Sequence, residues 1–435
     1  MNRFSDTYKN ILLLLVLLLL WLPQIQNKLQ FADVKPLQGD IVYPKEDSLN
    51  TRTWFSGDYQ TQQEVFLNTA FGLRNTCIRL NNQLAFSLFN KAKANMVIIG
   101  KDDYLYEKTY IDTYMGADFV GMDSVNHSIQ RLKFISDTLN KLNKKLLIVF
   151  AAGKASYFPE FIPANYKREN ENTNYKVFSK ATREAGLNVI DFNSWFVNNK
   201  TTAKYPLYPQ YGIHWSKYGS VLAADSIIKT IERLKGITMS HLYYDSLTLA
   251  QPQGIEYDIG GGMNLLFKLK SYDMAYMKVK FENDSGKTRP AALVISDSFY
   301  WGIYEFGLPR VFKNHHFWFY NKMVYPESFK EEMLTDYLDI GTEIKNHEVF
   351  IIMATEATLK DVGWGFIENA YTYFTKPEAP HSEQYFKRLK QLYNYIKTDT
   401  KWLAQIRQRA IENNTHLNVQ IVNEAKWVIH NEGLY

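Results

Sequence analysis

The sequence contains little cysteine, since Cys77 is the only one among 435 residues. No disulfide can therefore form within the chain, and metal sites built on several cysteines and CxxC redox chemistry are excluded. HExxH and Rossmann motifs are absent, and the triplet at residues 260–262 lacks the Lys-Ser/Thr of a Walker loop and predicts a turn. His315 and His316 have no partner at metal-ligand spacing and predict a polar loop. We expect no cofactor and no metal.

Strong charge and low-complexity segments are also absent. The formal net charge is only +5, which would tolerate an anionic polymer or a membrane surface but gives no reason to expect nucleic acid. No Gly/Ser-rich or Pro-rich linker divides the body of the chain, so one large domain with insertions is expected. Aromatic residues are plentiful, with 30 Tyr, 27 Phe and 9 Trp, and such side chains fill cores or contact sugars and partners.

One long hydrophobic run stands near the N-terminus, at residues 11–22 (ILLLLVLLLLWL). Twelve residues suit the apolar region of a signal peptide, but no A-x-A-like cleavage site follows. With its flanks, residues 8–25, the run reaches the length of a short membrane-spanning helix. We expect an uncleaved signal anchor over residues 1–25 and an exported body, with a cleaved signal peptide as the alternative.

Short apolar runs alternate with helical patterns through the rest of the chain. The runs at residues 95–100, 146–151, 187–192, 274–281, 291–295 and 348–354 predict strands, and residues 61–93, 126–144 and 174–186 predict helices. This alternation is typical of βαβ units and predicts an α/β fold with a parallel sheet and helices on both faces. We divide the chain into a stalk and long helix (26–93), an α/β domain (94–375) and C-terminal helices packed on it (376–435).

A candidate nucleophile follows one of these strands. Residues 291–304 (AALVISDSFYWGIY) indicate a buried strand, a polar turn and a helix start that carries Ser298. A serine at a helix N-terminus lies beside unpaired backbone N–H groups that can hold an oxyanion. The alternative is that Ser298 is only an N-cap residue.

A candidate base lies in the stretch YPQYGIHWSKYG, where His214 precedes a predicted helix. Ligands of open parallel sheets bind beyond the C-terminal strand ends, and polar clusters follow the predicted strands at residues 154–159, 191–195 and 296–298. A serine and a histidine at that edge are the minimum for acyl transfer through a serine ester. The alternative is that His214, next to Trp215, is a core or surface residue.

Four stretches together carry a family resemblance: GKDDYLYEK, AAGKASYFPEFIP, GIHWSKYG and VISDSFYWGIY. Their order and spacing over residues 96–356 resemble the AlgX/AlgJ-type alginate O-acetyltransferases, which are SGNH-hydrolase-like proteins. The resemblance implies that His214 is the catalytic histidine and Ser298 the nucleophile. It also implies that Tyr304 is a site tyrosine, with a core aromatic as the alternative, and that Lys154 is the lysine of a loop that here reads KASYFPE.

The chain departs from the family pattern at one position. The triad aspartate lies two residues before the histidine in the family, and Gly212 occupies that position here. Loss of the aspartate from a serine triad can lower turnover by about 10⁴. Asp191 and Asp297 are the candidate replacements, although Asp297 also fits a helix cap; otherwise the enzyme is slow or inactive.

The resemblance implies an extracytoplasmic O-acetyltransferase that transfers acetyl groups onto hydroxyls of a cell-surface or secreted polysaccharide. The expected location is the bacterial inner membrane, with a single span and the body in the periplasm, or the periplasm after signal cleavage. The expected acetyl donor is supplied by a membrane acyltransferase of the MBOAT type. The alternatives are an acetyl esterase with the same Ser298 and His214, and a non-catalytic carbohydrate-binding or scaffold member of an export complex.

Overall fold

The computed structural model of the protein describes residues 2–39, 48–325, 333–376, 383–413, 415 and 417–433. Part of the predicted stalk (residues 40–47) and parts of the predicted C-terminal extension (377–382, 414, 416, 434 and 435) lie outside the described residues. The α-helices are α1 (Asn2–Leu29), α2 (Thr51–Ser56), α3 (Asp58–Ala70), α4 (Arg74–Phe89), α5 (Lys108–Met115), α6 (Met122–Lys141), α7 (Lys154–Tyr157), α8 (Asn174–Glu184), α9 (Phe192–Asn198), α10 (Lys217–Lys235), α11 (Asp258–Gly262), α12 (Trp301–Tyr304), α13 (Ile340–Asn346), α14 (Phe366–Thr375), α15 (Glu383–Thr398), α16 (Thr400–Glu412) and α17 (Leu417–Asn431). The strands are β1 (Val97–Ile99), β2 (Leu105–Glu107), β3 (Lys145–Phe150), β4 (Val189–Asp191), β5 (Leu242–Ala250), β6 (Met274–Phe281), β7 (Ala292–Ser296), β8 (His315–Phe319), β9 (Met323–Tyr325), β10 (Met333–Leu334) and β11 (Val349–Ala354).

The chain folds into two compact units. The first comprises Met1–Lys108, Gln210–Ile213 and Gln251–Tyr272, and it contains α1–α4, the antiparallel pair β1–β2, and α11. Within α1, Thr7–Leu29 is 23 residues long and contains an exposed apolar stretch of 18 residues, so it is long and apolar enough to cross a membrane. A signal sequence has the same properties.

The predicted long helix over residues 61–93 is wrong, because the structure has two helices there, α3 and α4. The break falls at Gly72 and Leu73, and Leu73 has a positive φ of 67°. Gly72 lies against the end of α1, where an added Cβ would stand 2.2 Å from the carbonyl oxygen of Pro23. Only glycine allows the backbones to approach this closely, so the turn between α3 and α4 is fixed by its contact with α1.

The second unit comprises Thr109–Pro209, His214–Ala250 and Asp273–Tyr435 and is built on a sheet of order β10-β9-β8-β7-β11-β3-β4. From β8 to β4 the neighbours are parallel, and β9 and β10 form an antiparallel edge. Strands β7 and β11 are buried along their whole length, as expected for parallel strands covered on both faces. The predicted α/β fold class is confirmed.

Helices cover this sheet through apolar faces. On one face the core joins α6 and α8 to the inner strands through residues such as Leu132, Phe178, Ile148 and Phe350. The C-terminal helices α15–α17 bury a second cluster around Leu389 and Ile406, as their amphipathic pattern indicates.

Two strand predictions need correction. His315 and His316 do not form a polar loop, because they open β8, a central strand of the sheet. The run at residues 274–281 is a strand, but it pairs antiparallel with β5 in a separate two-stranded sheet. Local composition does not reveal these pairings: β8 lies between β7 and β9, whereas β6 lies beside β5.

Candidate active site

Ser298 lies directly beyond the C-terminal end of β7, near the middle of the sheet. Asp297 caps a 3₁₀ turn that begins at Ser298, and the short helix α12 follows. Asp297 and Phe299 are buried, whereas Ser298 is half-buried. The rigid flanks therefore present one reachable hydroxyl at the edge where ligands of parallel sheets bind.

His214 lies two residues before the capping residue of α10. The Ser216 hydroxyl accepts the backbone N–H of Gly219 at 2.9 Å, which fixes the start of that helix. Trp215 is fully buried, and its ring centroid lies 5.5 Å from that of Phe299. The His214 ring contacts the same phenylalanine, with a centroid distance of 4.8 Å. These contacts fix the imidazole beside the turn that carries Ser298.

The histidine and the serine meet at hydrogen-bond distance. The Nε2 atom of His214 lies 3.0 Å from the Oγ atom of Ser298, although 84 positions separate the two residues in the sequence. With the proton on Nδ1, Nε2 accepts the hydroxyl hydrogen, which is the arrangement a general base needs to activate a serine.

Asp297 holds the nucleophile turn onto the neighbouring strand. Its Oδ2 atom accepts the backbone N–H of Thr355 at 2.8 Å and the hydroxyls of Thr355 and Thr358 at 2.9 and 2.8 Å. Its Oδ1 atom accepts the backbone N–H of Phe299 at 3.0 Å. That N–H is therefore already paired, so the predicted set of unpaired amides at a helix start is not present at Phe299.

The Asp191 carboxylate, like that of Asp297, holds neighbouring elements of the fold together. Its carboxylate accepts the Tyr175 hydroxyl at 2.9 Å, caps α9 through the N–H of Ser194 at 3.0 Å, and pairs with the Arg183 guanidinium. The contacts of Asp191 and Asp297 give no support to either residue as the group that orients His214.

Gly212 stands where the family pattern has an aspartate, and the backbone around it is tight. A Cβ added there would lie 2.7 Å from the backbone carbon and oxygen of Glu256 and 2.8 Å from the carbonyl oxygen of Ile255. The position therefore has no room for a side chain. One residue later, the backbone N–H of Ile213 donates to the Asp258 carboxylate at 2.8 Å, which fixes the chain next to His214.

Lys154 and Tyr304, the other two candidates, lie in different surroundings. Lys154 follows β3 at the start of α7 and is fully buried. The hydroxyl of Tyr304 donates to the carbonyl oxygen of Tyr325 at 3.3 Å, and its ring lies 5.8 Å from that of Phe317. Tyr304 is thus part of an aromatic cluster beside the nucleophile turn.

The sequence analysis missed Glu356, which follows β11 at the same edge of the sheet. Its Oε1 atom accepts the Ser156 hydroxyl at 2.5 Å and also the Asn193 amide, so it links the ends of β11, β3 and β4. Its Oε2 atom has no hydrogen-bond partner and faces Gly153, where an added Cβ would stand 2.3 Å away. Burial raises the pKa of Glu356 to about 7. A polar cluster after a predicted strand was the signal that could have found it.

Part of the chain matches a known family model. Residues 97–253 match the family model described as "SGNH hydrolase-like domain, acetyltransferase AlgX". The match contains His214, Lys154 and Asp191 and ends before Ser298. No curated protein matches the chain.

Several solved structures are similar to the chain, among them the following three. The O-acetyltransferase domain of Pseudomonas putida AlgJ has a TM-score of 0.41 and 13% identity, with 63% of this chain and 98% of that one covered. Pseudomonas aeruginosa AlgX has a TM-score of 0.41 and 16% identity, over 63% of this chain and 66% of that one. Bacillus cereus PatB1 has a TM-score of 0.36 and 13% identity, over 56% of this chain and 92% of that one.

The resemblance drawn from the sequence is thus confirmed over residues 97–253. The family model that this region matches describes an SGNH hydrolase-like acetyltransferase domain. More particularly, the region is similar to the acetyltransferase domain of AlgX.

Proposed function

We propose that this protein is an O-acetyltransferase that transfers acetyl groups onto hydroxyls of an extracytoplasmic polysaccharide through an acetyl ester of Ser298. The single observation that carries the proposal is the 3.0 Å contact between His214 Nε2 and Ser298 Oγ at the C-terminal edge of the sheet. Both side chains are half-buried, so a substrate can reach them.

The first half-reaction forms the ester. Ser298 Oγ attacks the acetyl carbonyl carbon of the donor while His214 Nε2 takes the hydroxyl proton. The bond between the acetyl carbon and the donor's leaving oxygen breaks, and the imidazolium returns its proton to that oxygen. In the second half-reaction a sugar hydroxyl loses its proton to His214 and its oxygen attacks the acetyl carbon of the ester. The bond between that carbon and Ser298 Oγ breaks, and Oγ takes the proton back from the imidazolium, which frees Ser298 and the acetylated sugar.

The N-terminal segment and the class of the domain support a proposal for the location of the protein and for its acetyl donor. We propose that α1 anchors the protein in the bacterial inner membrane with its body in the periplasm, since Thr7–Leu29 is long and apolar enough to span. A membrane acyltransferase of the MBOAT type would deliver the acetyl group to this side. Cleavage of the segment as a signal peptide is the alternative.

Gly212 favours a second candidate, a non-catalytic carbohydrate-binding role, because the glycine removes the carboxylate that stabilises the imidazolium in the family pattern. The test uses the full-length protein in detergent with an activated acetyl ester, such as p-nitrophenyl acetate, with and without an oligosaccharide. Acetyl groups on the sugar support transfer, acetate release alone supports an esterase, and neither product supports the non-catalytic role.

Two variants locate the activity. Ser298→Ala removes the nucleophile and His214→Ala removes the base, so each should lower the rate by at least about 10³. The matched control is Ser285→Ala, which changes an exposed serine in a turn of the same unit and should leave the rate unchanged. Full activity in Ser298→Ala would show that the site is assigned wrongly.

A further inference from the structure

A second cluster of reactive side chains lies near the N-terminal ends of the parallel strands, whereas Ser298 lies beyond a C-terminal end. His316 is the second residue of β8, and its register partner on β7 is Leu293, near the start of that strand. His347 lies two residues before β11, and α13, just upstream, supplies Glu343. Ser298, in contrast, follows the C-terminal end of β7, so the two clusters are separate.

The three side chains converge on one point. Glu343 Oε2 lies 2.7 Å from His316 Nδ1 and 3.7 Å from His347 Nδ1. One ligand atom from each residue lies within 4.8 Å of the others. Glu343 and His347 are four positions apart, a spacing that places two side chains on the same side of a helix. Since His316 comes from a strand, the site joins two elements of the fold.

The burial of the cluster favours an ion. The Glu343 side chain is only 6% exposed and that of His347 is fully buried. A buried carboxylate needs a compensating positive charge, which a bound divalent cation would supply.

We propose that His316, Glu343 and His347 bind a divalent transition metal ion, with Zn²⁺ the best fit, as a site that holds the fold together. Two imidazole nitrogens and one carboxylate oxygen are donors that Zn²⁺ prefers at about 2.0–2.2 Å. Donors at that range around a tetrahedral ion stand roughly 3.3 Å apart. The spacings of 2.7 and 3.7 Å to the carboxylate oxygen lie on either side of that value.

His347 must change its hydrogen bonds to act as a ligand through Nδ1. Without metal, its Nδ1–H donates to the carbonyl oxygen of Glu343 at 2.8 Å, and the Asn314 side-chain amide lies 3.3 Å from Nε2. An amide flip would present the Asn314 oxygen to an Nε2–H, which leaves the Nδ1 lone pair for the metal. Lys144 donates to the carbonyl oxygen of His347 at 2.6 Å and so fixes the turn before β11.

The test measures metal content and metal-dependent stability in the full-length protein in detergent. The protein is dialysed against a chelator, then titrated with Zn²⁺ alone and, separately, with Co²⁺ alone, whose visible absorption reports tetrahedral coordination. We expect one ion per chain, a rise in the unfolding temperature with Zn²⁺, and the tetrahedral Co²⁺ spectrum.

Variants assign the ion to these residues. His316→Gln and Glu343→Gln should weaken Zn²⁺ binding by at least about 100-fold and remove the thermal shift. The control His127→Gln changes an exposed histidine on α6 and should bind as the wild type does. The wild-type titration needs no variant to fold, so it tests the proposal by itself. No stoichiometric ion in the wild type, or equal binding in the two site variants, would overturn the proposal.

Discussion

Replacement of Glu356 by glutamine should change how the stability of the protein depends on pH. Burial is the main cause that raises the pKa of Glu356 to about 7 from its ordinary value of 4.5, and the nearby Asp191 and Asp118 carboxylates add to the rise. The hydrogen bonds from Ser156 and Asn193 oppose it without cancelling it. The folded protein therefore holds this proton more tightly than the unfolded chain does.

The linkage between proton binding and folding gives the sign and the size of the change in the free energy of unfolding with pH. A raised carboxyl pKa gives stability that is fully present below the unfolded value of 4.5 and is lost as the pH rises through 7. The whole loss is about 3 kcal/mol, and about 2.5 kcal/mol of it falls between roughly pH 5 and pH 8. Glutamine carries no proton in this range, so the variant should lack this loss.

The assay is thermal unfolding of the full-length protein in detergent across that pH range, followed by tryptophan fluorescence. Between pH 5 and pH 8 the unfolding temperature of the wild type should fall relative to Glu356→Gln by roughly 3 °C. The unfolding temperature of Glu356→Gln should also differ from that of the wild type by a constant amount at every pH, because the new amide N–H₂ faces Gly153 without an acceptor. Glu412→Gln, an exposed change on α16, is the matched control and should follow the wild type. Parallel pH curves for wild type and Glu356→Gln would refute the reasoning.

Two further predictions concern the backbone near the proposed catalytic pair. Gly212→Ala should lower the unfolding temperature, because its Cβ would stand 2.7 Å from the backbone of Glu256. The control Gly262→Ala, whose Cβ would have nothing within 4 Å, should be at least as stable as the wild type. An equal loss of unfolding temperature in both variants would contradict the close contact at Gly212. Asp297→Asn should lower the free energy of unfolding by about 2 kcal/mol and slow acetyl transfer, since an amide N–H₂ in place of Oδ2 would face the N–H of Thr355. Chemical unfolding and ester turnover measure the two effects. Unchanged values would show that the carboxylate does not position the turn.

The inner strands could be predicted because they are continuous apolar runs buried on both faces. Strands β3, β7 and β11 were found this way, each within one residue of its observed bounds. Strand β8 was missed, since its two leading histidines suggest a polar loop. Their burial depends on Tyr300, whose hydroxyl lies 2.8 Å from His315, and on Glu343, which pairs with His316. Both partners are distant in the chain, and the pattern of nearby residues does not contain that information.

The candidate site, like the strands, could be predicted from the sequence only in part. Ser298 and His214 could be proposed because each lies where a strand end or helix start meets the ligand-binding edge, and the resemblance joined them. The supporting groups could not be ranked, because an aspartate near a site can cap a helix or orient a base with the same local sequence. Only the partners of Asp297 and Asp191, which come from other elements, show that both carboxylates are used in structural contacts.

The most direct test of the central claim is to look for the acetyl ester on Ser298. The full-length protein is exposed briefly to an activated acetyl ester, quenched in acid and digested, and its peptides are analysed by mass spectrometry. The account predicts an acetyl group on the peptide that contains Ser298, lost on addition of the oligosaccharide and absent from Ser298→Ala. Acetylated sugar formed at the wild-type rate by Ser298→Ala, or an acetyl group carried on another residue, would contradict it.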